Sequence, residues 1–245
     1  MSARVLIVGA TSAIAESLAR LFAIEGAQLY LAARNGKHLA SIADDLKVRG
    51  AGRVLIHAFE ATSEDGARLS EAAWEALGSI DVAVIAHGTL PRQTDCQNSS
   101  EMTRQALTIN ALSVLELLTP LANRMEAAGS GDLAVISSVA GDRGRQSNYV
   151  YGSAKACLNV YLQGLRHRLS GSGVNVLTVK PGFVDTPMTK TFEKGPLWAS
   201  PERVAWDIRR AIARRRTVIY TPWFWRWIML IIRLVPTPVF HRTKL

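Results

Sequence analysis

A chain of 245 residues, 48% hydrophobic and 20% charged, can bury a sizeable core and is too apolar to be disordered. Its two cysteines, Cys96 and Cys157, lack metal-ligand spacing and are too few for a disulfide framework, which excludes a disulfide scaffold and fits a reducing compartment. The net charge of +9 is uneven: ten Lys/Arg against Glu202 and Asp207 lie between Pro201 and Leu245, while residues 1–200 are almost neutral.

The apolar run Val5–Val8 reads as a first strand, with no signal peptide expected ahead of it. Gly9, Ala10, Thr11, Ser12, Ala13, Ile14 and Ala15 follow, then a helix to about Glu25. A turn of small residues between strand and helix lets a pyrophosphate reach the helix N-terminus, so Gly9, Thr11, Ser12, Ala13 and Ile14 are candidate cofactor contacts. Leu29–Ala32 is a second strand, ending in Ala33-Arg34-Asn35. An acid here selects the ribose 2′-hydroxyl of NAD, whereas an arginine accommodates the 2′-phosphate of NADP; Arg34 favours NADP, with NAD the alternative. A helix from Asn35 to Arg49, a strand over Val54–Ala58 and a helix capped by Thr62 come next. Strand Val82–Ile85 ends in Ala86-His87-Gly88, where His87 reads as lining for a crevice rather than a base. A long helix from about Ser99 to Ala127 carries Asn110 at its middle, a place unfavourable to an amide unless its side chain is hydrogen-bonded.

The strand Ala134–Ser137 leads to Ser138, and thirteen residues later stand Tyr151 and, four further on, Lys155. Residues four apart share a helix face, so the Lys155 ammonium is expected to lower the Tyr151 pKa from about 10 and make the phenol a proton donor near neutral pH. Ser138 can place a hydroxyl at the same spot. Val174–Val179 is the sixth strand, closed by Pro181-Gly182-Phe183-Val184-Asp185-Thr186; the segment from Thr186 to Trp198 is expected to be a mobile flap, Pro201 opens a helix, and Val218–Tyr220 is a last short strand. Strands alternating with helices imply βαβ units: an α/β Rossmann domain over residues 1–221, doubly wound, with a seven-stranded parallel sheet in the order 3-2-1-4-5-6-7. Residues 222–245 form a basic, Trp-rich tail on the same domain.

Ser138, Tyr151 and Lys155 at these offsets resemble the active site of the short-chain dehydrogenase/reductase family, and the likeness extends over nearly the whole chain. It implies hydride transfer between an NAD(P) nicotinamide and a ketone carbon. By the resemblance, Tyr151 gives the proton and Ser138 hydrogen-bonds the same oxygen. Lys155 also holds the nicotinamide ribose, and Asn110 holds a water between Lys155 and solvent. Gly88, Pro181, Gly182, Val184 and Thr186 are the further cofactor contacts it implies, with Glu60 near the adenine. Two stretches depart from the family pattern. Its Gly-x-x-x-Gly-x-Gly is reduced to Gly9 with Ala13 and Ala15, and its Asn-Asn-Ala-Gly to Gly88 behind Ala86 and His87.

The last 110 or so residues are similar to one branch, the decaprenylphosphoryl-2-keto-erythro-pentose reductases, through Ile136-Ser-Ser-Val-Ala-Gly141, Arg145-Gln-Ser-Asn148, Thr186-Pro-Met188 and the tail. That likeness implies a keto-sugar on a polyprenyl phosphate, a role in cell-envelope polysaccharide biosynthesis, a homodimer or homotetramer, and a cytoplasmic enzyme at the inner face of the membrane. Reduction of a soluble or carrier-bound ketone, and a nucleotide-binding regulator without turnover, are the alternatives; the intact Ser138, Tyr151, Lys155 and Asn110 argue against the regulator. Arg143 and Arg145 fall between Ser138 and Tyr151, at the rim of the expected crevice, and guanidinium groups there suit a substrate phosphate. The thirteen residues Trp223–Val235 are too few for the roughly 20 that span a bilayer. Arg226 and Arg233 share one face, and Trp223, Trp227, Leu230, Ile231 and Leu234 form an apolar stripe suited to an anionic membrane interface; packing on the body or in a dimer interface is the alternative. Neither a nucleic-acid partner nor a metal is expected.

Overall fold

The seven strands found among the described residues lie parallel in the order β3-β2-β1-β4-β5-β6-β7, the order expected from the sequence. The structure, a computed structural model, describes residues 2–63 and 65–243. In chain order its elements are β1 Arg4–Val8, α1 Ala13–Ile24, β2 Gln28–Ala33, α2 Gly36–Val48, β3 Arg53–Ala58, α3 Gly66–Leu77 and β4 Val82–Ile85. Then come α4 Gln93–Asn98, α5 Ser100–Leu107, a π turn Thr108–Leu112, α6 Ser113–Ala128, β5 Gly131–Ile136 and α7 Tyr149–Arg168. The chain ends with β6 Val174–Pro181, α8 Pro201–Ala213, β7 Val218–Thr221, α9 Trp225–Leu234 and α10 Thr237–Phe240.

Central strands read as unbroken apolar runs because helices cover both faces of the sheet. On one face Leu18, Phe22, Leu39, Val204 and Ile208 pack against Val5, Ile7 and Val179. On the other, Leu69, Leu117, Leu121, Leu158 and Leu162 pack against Leu6, Val8, Leu133 and Val135. The strand order reverses between β1 and β4, and the crevice this leaves at the carboxyl ends of the strands is where such folds bind ligands.

Three expectations need correction. Thr62 does not cap α3: Asp65 does, accepting from Ala67 N at 2.8 Å, while Thr62 turns back to Glu60. The long helix is not uniform, because Ser99 starts α5 as its cap and a π turn interrupts the run at Asn110. Ser100–Ala128 is long and apolar enough to cross a membrane by length and composition, yet Leu117, Leu118 and Leu121 are fully buried against the sheet, which makes it a core helix.

The third correction concerns the tail, which is built into the body. Trp225 and Met229 are buried with Val139, and the Trp225 ring lies so close to Gly182 that a Cβ there would fall 1.9 Å from its indole nitrogen. The helix therefore carries two apolar faces. One packs inward; the other leaves Trp227, Ile231 and Leu234 exposed at 56%, 66% and 73%, next to Trp223, which stands just ahead of the helix and is 66% exposed. At about 100° per residue Arg226 and Arg233 fall between these faces, not opposite the exposed one. Gly182→Ala is expected to drive the Trp225 ring out of its seat and destabilise the protein by about 1–3 kcal/mol, the range for overpacking. Urea unfolding measures this; an unchanged midpoint would show that the tail packs loosely.

Candidate active site

The crevice is a cavity of about 680 Å³, within the size range of small-molecule sites. Gly9 opens it at the end of β1, with φ at 81° and backbone so close to His87 that a Cβ would lie 2.4 Å from its nitrogen. Ser12 caps α1, accepting from Ala15 N, and the first-turn N–H groups of Ala13 and Ile14 have no intrahelical acceptor and border the cavity. Of the two alanines that replace glycines, Ala15 is fully buried in the helix–sheet core, so its methyl does not obstruct the crevice. This end of the cavity fits a dinucleotide pyrophosphate. Arg34 borders it from the end of β2, exposed and without an ion-pair partner among the described residues, with Glu60 on the neighbouring wall.

His87 is no base. The Ser113 hydroxyl donates to Ile109 O at 3.0 Å, so His87 Nε2, 2.9 Å from the same oxygen, must carry the ring proton and donate it. Burial first, and the nearby Lys155 charge second, push the imidazole down to about 3, so the ring is neutral at pH 7.

The π turn explains Asn110. Its Nδ2 donates to Ala106 O at 2.9 Å, four residues back, and its Oδ1 accepts from Thr89 N at 2.9 Å. The side chain inserts into the helix's own ladder and widens it, a feature frequent at functional sites. Gly88 sits against this amide and Lys155: the position of a Cβ there would be 2.8 Å from Asn110 Oδ1 and 3.7 Å from Lys155 Nζ. Lys155 Nζ donates to Ile136 O at 3.1 Å and lies 5.6 Å from the centroid of the Tyr151 ring. Ser138 follows β5 in extended conformation, its Oγ accepting from Ala140 N at 3.1 Å.

The electrostatics reverse one expectation. Burial pushes the Tyr151 phenol up to about 12, with hydrogen bonding to Ser138 working against it, and the lowering expected from Lys155 is absent. Lys155 is itself lowered by burial to about 8. Desolvation outweighs a cation that stands over the ring and spends a donor on a carbonyl. At pH 7 Tyr151 thus holds its proton firmly and Lys155 is mostly charged.

Every candidate cofactor and catalytic residue from the sequence borders this one cavity, and so does Arg145. Arg143 does not. Its guanidinium donates to the carbonyls of Ile232 and, at 2.7 Å, Val235, and stacks 3.8 Å over the Phe240 ring, which makes it a clamp on the tail. The segment after Thr186 borders the cavity through Pro187, Met188, Thr191 and Phe192. It is tethered by Thr189 Oγ1 donating to Val184 O at 2.6 Å and by a Lys194–Asp185 ion pair at 2.6 Å.

Sequence reading missed the groups that hold the site. Ser137 Oγ donates to Asn159 Oδ1 at 2.8 Å, and the Asp142 carboxylate accepts from Lys180 Nζ at 2.6 Å and Tyr220 OH at 2.8 Å. A usable signal was Lys180, the one charged residue in a strand buried along its whole length, since a buried lysine needs an anion.

The family model for short chain dehydrogenases matches residues 3–196. The chain belongs to the short-chain dehydrogenase family. It is therefore an NAD(P)-dependent oxidoreductase with a nicotinamide cofactor. An uncharacterized oxidoreductase of Mycobacterium tuberculosis is 39% identical over 244 residues, covering 98% of this chain and 97% of the relative. A ketoacyl reductase of Nostoc is 30% identical over 220 residues, covering 88% of this chain and 77% of its own. Among solved structures, an actinorhodin polyketide ketoreductase with NADPH superposes with a TM-score of 0.80 at 22% identity, covering 89% of this chain and 95% of that one. A short-chain dehydrogenase/reductase from Mycobacterium ulcerans gives 0.79 at 22% identity, covering 90% and 88%; these two likenesses concern the fold.

Replacing Tyr151 with Phe is expected to lower ketone reduction at least about 10²-fold, the lower end for one placed proton donor, and to leave cofactor affinity nearly intact. Steady-state kinetics with fluorescence titration of the cofactor check both; near-native turnover would remove Tyr151 from the chemistry.

Proposed function

We propose that the protein is an NADPH-dependent reductase of a keto-sugar carried on a polyprenyl phosphate, acting at the inner face of the cell membrane in cell-envelope polysaccharide assembly. The observation that carries this reading is the meeting of Ser138, Tyr151, Lys155 and Asn110 in a cavity beside the tail helix. Bound there, the nicotinamide would supply the hydride that reduces the ketone carbon. The first turn of α1 would hold the pyrophosphate, Arg34 the 2′-phosphate, and Pro181, Gly182, Val184 and Thr186 the nicotinamide end. Tyr151, kept protonated by burial, gives its proton to the developing alkoxide, while Ser138 donates to the same oxygen. Charge on that oxygen grows towards the transition state, so these donors stabilise it more than the ground state. Lys155, relayed to solvent by a water that Asn110 would hold, would return a proton to Tyr151. The name of the Nostoc relative supports a ketone as the electrophile.

Arg34 has no competing ion pair among the described residues, which supports NADP. Arg34→Ala is expected to weaken NADPH binding by about 1–3 kcal/mol and to leave NADH binding nearly unchanged. Equal affinity of the native protein for both cofactors would reject that preference.

A pH effect follows from Lys155. The kcat/KM for the cofactor reports groups of the free enzyme. It is expected to fall as pH rises through about 8, where the lowered Lys155 amine loses its charge, and not to wait for Tyr151 near 12. A profile flat from pH 7 to 10 would contradict this.

The exposed face of the tail supports the membrane. Trp223, Trp227, Ile231 and Leu234 would enter the headgroup region, with Arg226 and Arg233 at its edge, each basic residue contributing about 1 kcal/mol near an anionic surface. Trp225 and Met229 belong to the core, so the test uses surface changes: Trp223→Ser with Trp227→Ser and Ile231→Ser should abolish binding to anionic liposomes and preserve the melting temperature. A native protein that ignores such liposomes would favour the soluble or carrier-bound ketone.

A further inference from the structure

We infer that Arg145 and Gln93 form a subsite for an oxyanion on the substrate, set into the cavity wall beside the N-terminus of α7; the inference rests on the reductase reading above and deepens it. Arg145 is only 9% exposed, yet no carboxylate among the described residues is bonded to it. One terminal nitrogen, Nη2, meets the soft thioether of Met229 at 3.3 Å, and Nε has no partner among the described residues. Asp142, the acid whose charge acts on it, is bound to Lys180 and Tyr220 instead. A guanidinium cannot shed its proton to escape burial, and a buried charge is tolerated only when paired or when function demands it. Two supports fix it. Asn148 N donates to Arg145 O at 3.2 Å, and the Arg143 clamp holds the helix that presents Met229.

Gln93 adds a second idle donor. Asn148 makes no side-chain cap bond for α7, and Gln93 Oε1 caps it from outside, accepting from Val150 N at 3.2 Å. That bond fixes the amide, leaving Nε2 of Gln93, a residue that lines the cavity, buried and without a partner among the described residues. Unused buried donors call for a ligand that only accepts. Phosphate and carboxylate both qualify, and both suit the planar fork of Arg145. Asn148 lines the same wall, and its Oδ1, also buried and unpartnered among the described residues, offers the complementary acceptor for a ligand hydroxyl.

The test is calorimetric, on the full chain saturated with NADP⁺ so that the cofactor's own phosphate contacts are filled. Phenyl phosphate, benzoate and uncharged benzyl alcohol are titrated in turn. The native protein is expected to bind at least one of the two anions tenfold or more tightly than benzyl alcohol, and the stronger of them identifies the oxyanion. Arg145→Met should erase that difference, Arg145→Lys should keep part of it, and Gln93→Leu should reduce it. A structural role would not predict the accompanying stability change: without ligand, Arg145→Met should melt at or above the native temperature, because it removes an unpaired buried charge. No anion preference in the native protein, a preference that survives Arg145→Met, or a lower melting temperature in that variant would each overturn the proposal. Binding is read without turnover, so this outcome is separate from whether a ketone is reduced.

Discussion

The buried carboxylate of Asp142 ties the catalytic end of the molecule together. Only 4% of its side chain is exposed, and it receives Lys180, Tyr220 and, more distantly, Asn159 at 3.4 Å. Each partner belongs to a different part of the site. Lys180 immediately precedes Pro181 and Gly182, Tyr220 lies on the strand that runs into the tail, and Asn159 sits one turn beyond Lys155 on α7. Asp142 itself follows the short turn that begins at Ser138. Removing one member of such a buried pair leaves an uncompensated charge and costs about 3–5 kcal/mol. The same carboxylate is unavailable to Arg145, which is why a guanidinium six residues before Tyr151 keeps an idle donor in the cavity wall.

Burial governs the chemistry as much as charge does. A Tyr–Lys pair on one helix face invites the view that the cation draws the phenol towards ionisation. Here the phenol is pushed up, the ammonium is pushed down, and the imidazole of His87 is held neutral. The site at neutral pH contains a protonated phenol and a lysine that is still mostly charged. That combination suits donation of a proton to a developing alkoxide.

Much of this could be read from the chain because periodicity and local chemistry coincide. Apolar runs such as Val82–Ile85 mark doubly covered strands, and Tyr151 and Lys155 are fixed by a helix they both occupy. Asn110 was marked by its misfit in a helical run, and the π turn gives that misfit its physical form. The losses were long-range. Arg143 and Arg145 look alike in sequence, two residues apart in one loop, yet one clamps the tail and the other borders the cavity, a division decided by α9 more than 80 residues away. Likewise the inward face of the tail could not be told from its outward face, since both are apolar and only the seat for Trp225 beside Gly182 distinguishes them.

The central claim, that this cavity moves a hydride to a ketone under the control of Tyr151 and Ser138, is tested most directly with NADPH deuterated at the transferring C4 position. Incubated with a ketone and the native protein, the label should appear on the carbinol carbon, with a primary isotope effect on the transfer step. Label that stays on the nicotinamide across a panel of ketones, or that is transferred as fast when both Tyr151 and Ser138 are replaced, would contradict it.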